Sequence, residues 1–117
     1  MLFRSEHAGH RYLYVQKPLT AGEAEQFCTK AGGHLVTIAN KEENTWLSQI
    51  VPPGGACRIG LVLTGGKPHW VNAEPVAFLP ELTDIRVSDR IVIWRGGAWL
   101  PLPPDEDKPM PFVLEWD

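Results

Sequence analysis

Six side chains suited to molecular recognition crowd into twelve positions: Asp84, Arg86, Asp89, Arg90, Trp94 and Arg95. Arginine and large aromatics dominate binding hot spots, because they bring much contact area and directed hydrogen bonds. This set reads as a ligand surface. The plainer reading makes Trp94 a core residue and the charges a solvated face. Elsewhere the residues able to do chemistry are scattered. Cys28 and His34 would make a nucleophile and its base, but Cys28 falls on an apolar helical stripe, where a thiol is inert. His7 and His10 form an H-x-x-H pair. Zinc needs three or four converging ligands, and no further Cys or His cluster is near, so the pair is expected in a solvated N-terminal segment. The acidic run Asp105-Glu106-Asp107 lies in a proline-rich stretch and reads as a solvated loop. No phosphate-cradling glycine loop, nucleophile elbow or paired-carboxylate motif occurs. The expectation is therefore no catalytic residue, no metal and no cofactor.

The elements that position those residues must come from a single small core. The chain has 117 residues, enough for one domain, taken as 1–117 with residues 1–8 peripheral. Apolar types make up 44% and charged types 21%, a folded rather than a disordered composition. A net charge of -3 gives no electrostatic reason to bind nucleic acid or an anionic membrane. No apolar run approaches the roughly 20 residues that span a bilayer, and the opening MLFRSEHAGH holds no apolar signal core. Eleven glycines, eleven prolines and five tryptophans indicate short strands folded back often. Two cysteines do not make a disulfide framework, which leaves the redox compartment open.

Residues 10–16, HRYLYVQ, read as a strand. Thr20 with Glu23 forms a capping box for a helix whose apolar face is Ala24, Phe27, Cys28 and Ala31, and Gly32-Gly33 ends it. A short extended segment, HLVTI at 34–38, precedes a second capping box, Asn40 with Glu43. That box opens a helix to about residue 50, with Trp46, Leu47 and Ile50 inward. Pro52-Pro53-Gly54-Gly55 stops it. Strands follow at 57–63, 69–71, 90–94, 98–100 and 112–116, and Arg95-Gly96-Gly97 makes a hairpin turn. Residues 79–89 and 101–111 are the least regular. The order gives an α+β fold: two helices early, an antiparallel β-rich second half, and a last strand free to pair with the first.

These letters, in this order, resemble the C-type lectin-like domains over residues 9–117. GHRYLYV, AEQFCTKAGGHLVTIANKEEN, RIGL (58–61), HWVNAEPVAF (69–78), GGAW (96–99) and FVLEWD (112–117) match the family's successive segments, the fourth as in short bacterial members. The resemblance implies the C-type lectin-like fold, with first and last strands paired, and a ligand face around 79–99. Sugar-binding members hold calcium through a Glu-Pro-Asn or Gln-Pro-Asp triplet and an Asn-Asp pair after the Trp. Here Leu100-Pro101 follow Trp99, the loop LPELTDIRVSD carries no triplet, and Glu74-Pro75 stands too early. Calcium wants six to eight oxygen ligands, which these residues do not supply. Cys28 matches the helix cysteine that the family joins to its last strand, but Leu114 occupies the partner position. Cys28 then reads as a buried hydrophobe facing Leu114, with a nonstandard Cys28–Cys57 bridge as the alternative.

The resulting expectation is a non-catalytic recognition module that binds a protein or glycan without the usual calcium site. Its ligand contacts would be Asp84, Arg86, Asp89, Arg90 and Trp94. Partners are expected to exclude nucleic acid and membrane insertion, and the resemblance suggests an extracellular or cell-surface setting. The rival is a structural or oligomerisation domain of a larger protein.

Overall fold

The computed structural model describes residues 4–7, 9–64, 67–79, 90–102 and 108–116. In chain order the elements are β1 (Arg4–His7), β2 (His10–Leu19), α1 (Ala21–Lys30), β3 (His34–Leu35), α2 (Lys41–Trp46) with a 3-10 turn at Leu47–Gln49, β4 (Ala56–Thr64), β5 (Lys67–Trp70), β6 (Arg90–Arg95), β7 (Ala98–Leu102) and β8 (Met110–Trp116). The expected α+β order holds, and the helices come early.

One eight-stranded sheet runs β1-β2-β8-β4-β6-β7, with β3 paired to β8 and β5 to β4. The early and late strands meet antiparallel, Arg11 opposite Trp116 through Val15 opposite Phe112. Among the described residues, one parallel pairing joins β4 to β8 at Arg58 and Phe112. Side chains alternate across strands, and the two faces of β2 and β8 fill two apolar clusters. Leu13, Val15, Phe112 and Leu114 pack with Ala24 and Cys28 of α1 and with Leu35. Tyr12 and Val113 face the other way, into a larger cluster with Val36, Ile38, Leu47, Ile59, Leu61, Trp94 and Trp99.

Local chemistry sets the element ends. Thr20 and Glu23 form the full capping box of α1. The box of α2 is only half made: Asn40 accepts from the Glu43 N–H, but the Glu43 carboxylate turns elsewhere. The helix is also shorter than expected, tightening to 3-10 geometry after Trp46. Leu47 is buried there, while Trp46 and Ile50 are half-buried. Of residues 1–8, expected to be peripheral, the described ones form the edge strand of the sheet. Arg4–His7 form a strand folded onto β2 through Gly9, whose φ of 85 favours glycine.

Arg58 is buried, and its guanidinium donates from Nε to the Leu19 carbonyl (2.9 Å) and from Nη2 to the Lys108 carbonyl (2.5 Å). A buried cation is tolerated when its donors are taken up in this way. The two cysteines are free and buried, Cys28 in the α1-side cluster with Leu114 and Cys57 in the other.

Candidate functional site

The β6–β7 hairpin carries the described part of the expected ligand surface. Its strands are in register from Ile91 opposite Leu102 to Arg95 opposite Ala98. Gly96 and Gly97 take φ values of 60 and 90, the left-handed pair that a two-residue hairpin turn requires. Alternation decides what each residue does. Val92 and Trp94 point into the core, and Arg95 is exposed at the turn. Trp94 is thus not a ligand contact. It is 2% exposed, and its Nε1 donates to Asn44 Oδ1 at 3.1 Å. Arg90 opens β6 opposite Leu63. Asp84, Arg86 and Asp89 lie outside the described residues, as do Asp105, Glu106 and Asp107. Leu100 is exposed on β7, and neither it nor the half-buried Pro101 offers a side-chain oxygen to a cation.

A second constellation was not anticipated. His7, His10, Thr37, Ala39, Asn40, Glu43, Glu74 and Glu115 line one depression. The strand register puts Tyr12 opposite Glu115 on one sheet face. The α-helical period that buries Leu47 also turns Glu43, one turn earlier, and Asn44 inward. That period was the available signal, masked by reading Glu43 as a capping residue. The histidines are half-buried rather than freely solvated, and the His10 side chain stays 39% exposed. His7 stacks on Trp46 with centroids 4.8 Å apart, and His10 Nδ1 lies 2.8 Å from Glu115 Oε2.

All six carboxylate oxygens of this depression accept from protein donors. Glu43 takes the Ala39 N–H (2.7 Å) and the Tyr12 hydroxyl (2.5 Å). Glu115 takes the Thr37 N–H (3.0 Å) and His10. Glu74 takes Asn72 Nδ2 (2.5 Å) and the Thr37 hydroxyl (3.1 Å). That hydroxyl also lies 3.4 Å from Glu115 Oε1. Its single proton serves one carboxylate at a time. Among the described residues, no group of three or more His, Cys, Asp or Glu could hold a metal ion. The arrangement fastens the β1–β2 hairpin, α2 and the 72–74 turn together. His34 donates locally, its Nδ1 2.7 Å from the Leu35 carbonyl.

A family model described as the Lectin C-type domain matches residues 17–89, more than half of the chain. The chain belongs to the C-type lectin domain family. Among curated proteins similar to this C-type lectin domain, Snaclec A6 of Macrovipera lebetinus is 41% identical over 51 residues, which is 42% of this chain and 33% of that protein. C-type lectin domain family 4 member F of Mus musculus is 35% identical over 69 residues, 57% of this chain and 12% of that protein. The chain thus spans a third or less of these relatives. Among solved structures, a calcium-independent type II antifreeze protein superposes with a TM-score of 0.84 at 22% identity, covering 99% of this chain and 95% of that one. Human lithostathine gives 0.82 at 15%, covering 97% and 96%. The mouse scavenger receptor C-type lectin carbohydrate-recognition domain gives 0.79 at 20%, covering 97% and 95%. At such identities the likeness is one of fold.

Proposed function

We propose that this C-type lectin domain is a non-catalytic recognition module that binds a protein or carbohydrate ligand through the 79–99 surface without the usual calcium site. One observation supports the reading above others. The β6–β7 hairpin is anchored by buried Val92, Trp94 and Trp99, and it presents Arg95 outward where the sequence crowds its other charged recognition residues. Asp84, Arg86, Asp89 and Arg90 complete the proposed contact set. Leu100-Pro101 is the sequence feature behind calcium independence. Residues 1–117 act as one domain in this reading, in an extracellular or cell-surface setting. Among the described residues no helix is long and apolar enough to cross a membrane.

A glycan array probed with millimolar calcium and with chelator tests the proposal. Retention of the same glycans in both conditions is expected, with loss on Arg95→Ala. Melting gives an independent check, since a ligand at a hundred times its dissociation constant stabilises the native state by about 2.7 kcal/mol. No shift in melting temperature between calcium and chelator is expected. A rise of several degrees, or glycan retention only with calcium, would overturn calcium independence.

The second reading, a structural or oligomerisation domain, is favoured by the exposed side chains of Leu79 and Leu100. A concentration-dependent dimer in light scattering, abolished by Leu100→Glu, would establish it.

A further inference from the structure

A buried indole N–H needs an acceptor, because leaving it unbonded costs its whole desolvation. Trp94 of β6 and Trp99 of β7 are opposite one another, beside the turn, and both rings are buried. Their Nε1 groups donate to the same atom, Asn44 Oδ1, at 3.1 and 2.8 Å. The amide nitrogen of Asn44 donates in turn to the Gly97 carbonyl at 2.9 Å. Both acceptor positions of the amide oxygen are therefore filled from the two strands, and one of its two N–H bonds grips the turn. Asn44 itself is buried, on a different element.

Beyond the Arg95–Ala98 pairing, the turn has little of its own to fix its position. Gly96 and Gly97 carry no side chain to pack, and glycine has the most conformational freedom to lose on folding. A Cβ placed on Gly97 would meet nothing nearer than Asn44 Nδ2, at 3.7 Å. We infer that Asn44 is a positioning residue for the recognition hairpin: one amide on α2 sets where the Arg95–Ala98 turn sits, and with it where the exposed Arg95 guanidinium is presented. This rests on the proposed ligand surface. The helix it works from is held from the other side by the neighbouring residue, since Glu43 accepts from Tyr12 of β2.

The test uses Asn44→Asp and Asn44→Ala in the whole chain, read by amide and indole hydrogen exchange. Asn44→Asp keeps the oxygen for both indoles but sets a carboxylate against the Gly97 carbonyl. The two indole N–H groups should stay protected as in the native protein, while amides of residues 96–98 exchange at least tenfold faster. Amides paired between β2 and β8 should not change, and retention on the glycan array should fall about tenfold. Asn44→Ala should also lose indole protection. Turn amides in Asn44→Asp that exchange as slowly as in the native protein would overturn the inference. So would a rise in Asn44→Ala that is equal at the turn and in β2–β8, since that is general destabilisation. Arg95→Ala separates the two claims: if it keeps every glycan the native protein retains, the recognition reading fails while the exchange results still decide the role of Asn44.

Discussion

Both thiols are silenced by their surroundings. Burial pushes Cys28 up to about 12, with the Glu25 carboxylate adding to the effect, and burial alone does the same to Cys57. A native pKa raised above the unfolded value contributes stability that is complete below the unfolded pKa, near 8.5. Above it the unfolded chain releases thiol protons that the native state keeps. Stability should therefore fall as pH rises from about 9 towards 12, which urea midpoints across that range would show. Iodoacetamide at pH 8 should label neither residue in the native protein and both once it is denatured without reductant. A monomer that takes up no label when denatured would mean a Cys28–Cys57 bridge. The place of Cys28 was legible, because it lies at i+4 from Ala24 on an apolar stripe. The fates of Trp94 and Asn44 were not, since strand alternation gives two faces without saying which one is covered. An Asn beside a capping residue likewise reads as surface.

Elements were legible where local chemistry marks their ends. Thr20, Glu23 and the Gly32-Gly33 pair bound α1 nearly to the residue. Thr20→Ala should cost about 1 kcal/mol, measured by chemical unfolding. Hydrogen bonds from the Thr20 backbone and side chain lower the Glu23 pKa. The contribution of this cap is thus present above the ordinary glutamate value and is lost as pH falls through the native one. β1 was illegible, because RSEH has neither alternation nor β-branched residues and becomes a strand only through its pairing with β2. The second helix was misjudged in length because its last turn tightens to 3-10 geometry at Leu47–Gln49, which the apolar spacing of Trp46, Leu47 and Ile50 does not reveal. Close approach between elements adds a constraint that no pattern reveals. A Cβ on Gly33 would lie 2.5 Å from the Glu115 carbonyl oxygen, which is backbone and cannot step aside. Gly33→Ala should cost about 1–3 kcal/mol by overpacking. Gly22→Ala, on an exposed turn of α1 with open space around it, should be neutral or slightly stabilising.

At the scale of the molecule, β8 joins the two apolar clusters, giving Phe112 and Leu114 to one and Val113 to the other. Leu35→Ala, Ile59→Ala or Leu114→Ala should each cost about 2–5 kcal/mol, and Trp94→Ala about 3–5 kcal/mol, in equilibrium unfolding. If Arg86 and Asp89 belong to the proposed ligand surface, Arg86→Ala and Asp89→Ala should stay within about 0.5 kcal/mol. If either unfolds the domain, its side chain is structural and the ligand surface must be redrawn. The α+β architecture was readable because the segments keep their order and spacing. The candidate site was readable only as a region, since charged loop residues have no periodicity to orient them.

The register of Arg11 with Trp116 also governs how the chain reaches this state. About a hundred residues must be spanned before β2 finds its partner, and closing so long a loop is entropically uphill until the contacts form. Folding should therefore be slow for a chain of this size, in the range of milliseconds to seconds. A nascent chain emerging from the ribosome cannot complete its sheet before residues 110–116 are synthesised. Until then the apolar side of α1 stays uncovered, and aggregation competes with folding.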